Sequence, residues 1–434
     1  MTPQQRTCSG ILPVLAFVII FSLTSPVQAS DPIWNLSFPE IDSHQGFNGI
    51  AKLSPDNQFL VATNPDGSEI FTVLQNGTLL WEYTPEKTTE DWKKPVISGI
   101  AISSDNSLIG ISVMLPGCCR GIVTETPSNQ VILFDTGGHM LWNYSTREPP
   151  QSIAISKNGR DIFVGYETRS LSCLNRDGTL RWNSPTDSPI SRIEISADGD
   201  HILASGINVG GQYTNDVFFF TSDGVLLWKE QFRGENILGI SPDEQNLIIS
   251  GYPAQNTFSL NAGGKILWEH SFADIGTIMA MATNGRYVLA GTNDHVQMLD
   301  NRGEELWDYM TSEPVYSVSL SGNGDTIGAG TGTGLIVLNR TGTLLWRYTT
   351  NETVIPVAVS DDGAYIAAIS DRLYLFNSWG NSSIIEPSQG RTSSIPSSGS
   401  PGSLPTAKPA AVPGIISIFA LALGATGAIR YLRN

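Results

Sequence analysis

Cysteine is scarce: the chain has 4 in 434 residues. Cys8 lies in an N-terminal stretch that reads as a leader, outside any lipobox context. The remaining Cys118, Cys119 and Cys173 are odd in number, which argues against a disulfide framework. No Cys-x-x-Cys, His-x-x-x-His or Gly-x-Ser-x-Gly occurs. The five histidines (44, 139, 201, 270 and 295) are scattered and read as turn or surface residues. The Asp-Gly pairs at 66, 177, 198, 223 and 362 lack the alternating acidic spacing of a calcium loop, so they read as turns. No catalytic residue, metal ligand or cofactor is therefore assigned. Basic residues are also few. Lys and Arg number 25 against 41 acidic residues, a net charge of −16 and a pI near 4.7. That excludes a general nucleic-acid binder, which needs a basic footprint.

What the chain does have is a repeat. Gly-x-x-x-Trp occurs at Gly77/Trp81, Gly138/Trp142, Gly178/Trp182, Gly224/Trp228, Gly264/Trp268, Gly303/Trp307 and Gly342/Trp346. The later copies recur at about 40 residues, the mark of a repeat architecture. Residues 278–309 show the unit. Three short apolar runs, starting at Ile278, Tyr287 and His295, are followed by Leu306-Trp-Asp-Tyr309. Turns at Asn284-Gly285 and Asp300–Gly303 separate them, and no window supports a helix of ten residues. Four such strands make an antiparallel sheet, and the repeat makes that sheet a propeller blade. The Trp, with apolar neighbours such as Leu79 and Leu80, is expected to fill the widening gap between outer strands. The Gly supplies the tight turn.

The innermost-strand pattern occurs eight times, near Ile50, Ile100, Ile153, Ile193, Leu238, Ile278, Val315 and Val357. The last copy runs to Gly380 with no Leu-Trp strand after it. Ile33-Trp34-Asn-Leu-Ser-Phe38 supplies that strand from the other end of the chain. The expected fold is all-β: an eight-bladed β-propeller of four-stranded antiparallel blades over residues 30–383. Its N-terminal strand closes it and leaves no open edge between first and last blades.

The flanks differ. Residues 1–29 read as a signal peptide, with Arg6, an apolar core from Ile11 to Leu23 and a small-residue site at Val27-Gln-Ala29. Residues 384–411 are a Pro/Ser/Gly-rich stalk. Residues 412–429 carry no charge, and 18 residues reach ~27 Å as a helix, just enough to span a membrane. Arg430 and Arg433 then place the tail 430–434 in the cytoplasm and the propeller outside.

Three insertions interrupt the repeat, at 84–95, 115–127 and 205–216. Strand parity puts all three on one face of the ring, in connections two-to-three or four-to-next-one. The tight Asn-Gly and Asp-Gly turns fall on the other face. Binding residues concentrate on such loops. Trp92, Lys93 and Lys94 offer an aromatic and two cations to an anionic polymer. Cys118, Cys119 and Arg120 lie in the second insertion and Tyr213 in the third. A Cys118–Cys119 disulfide would be strained, because adjacent Cα atoms are about 3.8 Å apart and the usual range is ~4.4–6.8 Å. Two free thiols, or one paired with Cys173, both fit. Asn-x-Ser/Thr sequons stand at Asn35, Asn76, Asn143, Asn339, Asn351 and Asn381.

Asp177-Gly-Thr-Leu-Arg-Trp182 and Asp223-Gly-Val-Leu-Leu-Trp228 resemble the quinoprotein-type, or PQQ-like, β-propeller repeat over roughly residues 33–383. The resemblance implies eight blades. It covers both enzymes and non-enzymatic scaffolds. PQQ alcohol dehydrogenases of that family carry a vicinal disulfide over the cofactor, and Cys118-Cys119 looks like that pair. The family's larger blades, acidic calcium ligands and catalytic Asp find no counterpart here. The stalk, Pro413-Gly414, the apolar run and the terminal Arg resemble the C-terminal sorting signals of archaeal surface proteins. The expected function is an extracytoplasmic, membrane-tethered binding or scaffold module. It is a monomer at the cell surface that meets an envelope protein or polysaccharide and no nucleic acid. The alternatives are a quinoprotein-like oxidoreductase and a polysaccharide-active propeller enzyme.

Overall fold

The computed structural model describes residues 30–38, 49–86, 94–115, 129–207, 214–233, 235–252, 256–272, 278–282 and 284–380. They form strands β1 to β32, in chain order, arranged as eight four-stranded antiparallel sheets. Blade 1 is β2(Ala51–Leu53), β3(Phe59–Thr63), β4(Ile70–Leu74) and β5(Leu79–Tyr83). Blades 2 to 7 follow in the same order. Blade 8 takes β30(Val357–Val359), β31(Tyr365–Ile369) and β32(Arg372–Asn377) from one end of the described chain and β1(Trp34–Ser37) from the other. In it Trp34 lies opposite Leu375 and Ser37 opposite Arg372. The closure expected from the sequence is the one observed.

The first strand of each blade packs on those of both neighbours: β2, β6(Val96–Ile102), β10(Pro150–Ile155), β14(Arg192–Ile195), β18(Glu235–Ile240), β22(Ile278–Met281), β26(Val315–Leu320) and β30. They surround the central axis. The second and third strands are the most apolar part of each blade. β3, for example, is buried along its whole length. Their side chains form hydrophobic clusters that span adjacent blades, as where Ile97 and Ile111 of blade 2 meet Val61 and Trp81 of blade 1. A blade that packs on both faces needs apolar residues on both, so these strands read as runs rather than as alternation.

The turn from first to second strand is set by a short polar box. Ser54 Oγ donates to Asp56 Oδ1 at 2.8 Å and accepts the Phe59 amide at 3.0 Å. Asp56 Oδ1 also accepts the Gln58 amide. The same box recurs at Ser103, Ser156, Ser196, Ser241, Ser321 and Ser360. Only blade 6, with Ala282, lacks the Ser. One Asp-Gly turn departs from the expected face. Asp66-Gly67 joins β3 to β4, so it lies on the inserted side of the ring.

The outer strands are β5, β9(Met140–Thr146), β13(Leu180–Pro185), β17(Leu226–Arg233), β21(Ile266–Ser271), β25(Glu305–Met310), β29(Leu344–Thr349) and β1. Each Trp points across to the next blade, where its indole N–H meets a turn carbonyl. Trp81 bonds Thr136 O at 3.0 Å, Trp142 bonds Arg176 O at 2.8 Å and Trp346 bonds Ser378 O at 2.8 Å. The Gly of each repeat therefore packs under the Trp of the preceding blade, not under its own. A Cβ on Gly138, at φ +88°, would lie 2.5 Å from Trp81 Cγ. The apolar residue before the Trp is not buried as expected. Leu141 is 48% exposed, and Leu80, Leu227, Leu267 and Leu306 face solvent as well.

Candidate functional site

The three insertions leave from the face expected by parity: between β5 and β6, between β7(Leu108–Met114) and β8(Asn129–Asp135), and between β15(His201–Ile207) and β16(Thr214–Thr221). Trp92, Lys93, Cys118, Cys119, Arg120 and Tyr213 lie outside the described residues. So do the leader, the stalk, the apolar run and Asn381. Lys94 is described and exposed. Cys173 is a free, fully buried thiol, so pairing with Cys118 or Cys119 is not observed. Burial, then the nearby Asp161 charge, pushes it up to about 12. A thiol held protonated is inert.

The bases of the second and third insertions are held by buried side chains. Under the second, the buried Asn129 accepts the Leu115 amide through Oδ1 at 2.9 Å. The third is shorter than its sequence span suggests. Residues 205–207 and 214–216 continue the ladder, with Gly206 opposite Asp216 and Ile207 opposite Asn215. Under it Asp216 is fully buried. It accepts from Ser188 Oγ, from Gln231 Nε2 at 2.7 Å and from Lys229 Nζ at 3.1 Å. Burial works against the Asp216 charge, but those bonds outweigh it and hold the carboxyl below its ordinary range. Two of the insertions thus rise from bonded bases on a rigid ring.

The ring axis carries a second feature, one that sequence reading missed. Two residues before the turn Ser, or before Ala282 in blade 6, six inner strands place Ala101, Ala154, Gly239, Ala280, Ser319 and Ala358. Blades 1 and 4 place Lys52 and Glu194 there instead. Lys52 is only 8% exposed. Burial pushes the Lys52 ammonium down, against the attraction of Glu194. Burial likewise pushes Glu194 up, against Lys52 and Arg192. Two ionisable side chains from non-adjacent blades thus stand near the axis, each pushed toward its neutral form by burial and opposed in that by the other. The signal was a break in the small-residue register, visible only once the eight copies are aligned.

On the opposite face, Asp198, His201 and Glu244 bring ligand atoms within 4.8 Å of one another. His201 Nδ1 lies 3.0 Å from Glu244 Oε1 and its ring stacks on Phe219. This trio could hold a divalent cation, and it also ties blade 4 to blade 5. Of the other described histidines, His139 pairs with Asp135 and His295 with Asp308, while His270 meets the Gly303 carbonyl of the next blade. Among the described residues no helix is long and apolar enough to cross a membrane.

Residues 256–404 match the family described as "Outer membrane protein assembly factor BamB". No curated protein matches the chain. Among solved structures, BamB from Moraxella catarrhalis aligns with TM-score 0.56 and 15% identity, over 79% of this chain and 99% of that one. The C-terminal WD40 domain of Sif2 aligns with TM-score 0.64 and 13% identity, over 80% and 98%. At such identities the structural likeness concerns the fold. The chain is thus a β-propeller by fold, and its residues 256–404 are similar to the family above.

Proposed function

We propose that the protein is an extracytoplasmic, membrane-tethered propeller that works as a binding or scaffold module at the cell surface. The observation that carries this reading is the placement of all three insertions on one face of a closed ring. A rigid ring holds loops in fixed relative positions at little entropic cost on binding. BamB is named an assembly factor, and a scaffold role here agrees with that. The partner is an envelope protein or polysaccharide. Trp92, Lys93, Lys94, Cys118, Cys119, Arg120 and Tyr213 are its contact residues, with the two lysines beside Trp92 suited to an anionic polymer.

The test is replacement of Trp92, Lys93 and Lys94 by Ala in the full chain. The melting temperature should stay within about two degrees, as exposed loop changes usually do. Attachment to isolated envelope should fall. Unchanged attachment would remove the first insertion from the contact surface.

A further inference from the structure

An outer strand of a blade is an open edge. Its free N–H and C=O groups invite another strand, and proteins commonly block such edges with charge. Six of the eight outer strands do so here, through Glu82, Arg181, Lys229, Glu269, Asp308 and Arg347. Only β1 and β9 contain no charged residue. Each of these two instead holds a sequon directly after its Trp: Asn35-Leu-Ser37 and Asn143-Tyr-Ser145.

The two edges differ. On β1, Asn35 Oδ1 accepts from Arg372 Nη1 at 2.7 Å, so the neighbouring strand lends a guanidinium to that edge. On β9 nothing comparable is present among the described residues. β9 is seven residues long and pairs only with β8. Met140 and Leu141 are 45% and 48% exposed. Asn143 and Ser145 stand exposed on the same side as Leu141, while Trp142 and Tyr144 turn inward. The Asn143 amide has no hydrogen-bond partner among the described residues. The other described sequons are engaged. Asn76 and Asn339 cap their own turns through Oδ1, and Asn351 Nδ2 donates to Asp371 at 3.0 Å.

We propose that Asn143 carries an N-linked glycan, and that this glycan shields the uncharged edge of blade 2 as charge shields the others. The inference rests on the reading that the chain is exported. In the step, the Asn143 Nδ2 nitrogen attacks the anomeric carbon of a lipid-linked oligosaccharide phosphate. The C–N bond forms as the C–O bond to phosphate breaks. The lipid phosphate leaves with the bonding pair, and the amide proton passes to the transferring enzyme. A hydrated glycan on an outward side chain occupies the space an incoming strand would need, and it leaves the β8–β9 ladder intact.

The experiment separates this idea from the native location of the protein. The chain is secreted from a glycosylating host behind that host's own cleavable leader, so export is imposed. Peptide mass spectrometry should show a hexose-containing increment on the Asn143 peptide. A bare Asn143 on the secreted, folded chain overturns the proposal. Sedimentation then compares the glycosylated protein with Asn143→Gln and Asn143→Lys. Asn143→Gln should self-associate at a concentration about tenfold lower or less. Asn143→Lys should remain as monomeric as the glycosylated protein, because charge replaces the shield. Equal behaviour of Asn143→Gln and the glycosylated protein overturns the shielding role.

Discussion

The indole nitrogen of Trp34 lies 2.9 Å from the Gln75 carbonyl oxygen, and this bond joins the last blade to the first. Trp34 is fully buried, and a Cβ on Gly77 would come within 2.9 Å of its ring. The seam of the ring is thus built like the contacts between consecutive blades. It is made, however, by a strand that arrives from the far end of the chain.

The first prediction follows from that seam. Trp34→Ala removes a buried ring and leaves the Gln75 carbonyl without its donor. A loss of about 3–5 kcal/mol is expected, read as a large fall in melting temperature. Trp34→Phe keeps most of the packing and should cost only about 1–3 kcal/mol. Deletion of residues 30–38 removes the whole strand and should be worse than either. A deletion variant that melts with the wild type would contradict the closed ring.

Much of this was legible in the sequence, for a physical reason. Trp34, Trp81, Trp142, Trp182, Trp228, Trp268, Trp307 and Trp346 recur because every blade must fill the same gap. Blade number and closure follow from counting them. The role of each Gly was only half legible. Positive φ can be read from the turn, but Gly138 meets Trp81 of another blade, and no local pattern states that. The third insertion read as 205–216 because those residues are in excess of the repeat. The ladder nonetheless continues through Gly206 and Asp216. Lys52 and Glu194 were missed because each looks like a stray charge until the register shows Ala, Gly or Ser in the other copies.

The second prediction concerns that pair. Burial pushes each group toward its neutral form and the other partner opposes that, so removing one partner withdraws that support from a poorly solvated polar group, which typically costs about 1–3 kcal/mol. Lys52→Ala alone and Glu194→Ala alone should each destabilise. The double variant restores the residue found in most other blades, so it should recover much of the loss. A thermal-melt cycle measures the coupling. Strict additivity of the two single effects would show that the two groups do not act on each other.

The third prediction addresses topology. Protease added to intact cells should release a soluble propeller by cutting within 384–411, since the closed ring resists cleavage and a composition rich in Pro, Ser and Gly favours it. Protection of the entire chain from outside protease would rule out the tethered orientation.

The last prediction concerns acid. Asp216 stands at the root of the third insertion, and its bonds to Ser188, Gln231 and Lys229 hold its carboxyl below the ordinary 3.8. A carboxyl with a depressed folded value binds fewer protons in the folded chain than in the unfolded one. The stability it contributes is therefore fully present above pH 3.8 and is lost as pH falls through the folded value. Asp105, Asp198 and Asp362, in the turn boxes of blades 2, 4 and 8, are depressed as well, so the whole ring should weaken over that acid range. Asp216→Asn keeps the shape but loses the charge. At neutral pH it should melt below the wild type, because Lys229 loses a buried partner. On acidification the gap should narrow, since the wild type then protonates the same group. Melting curves of both proteins across about pH 2–7 measure this directly. Equal melting at neutral pH would mean that Asp216 acts by shape alone, and a gap that stays constant through that range would mean that the loss does not come from its charge.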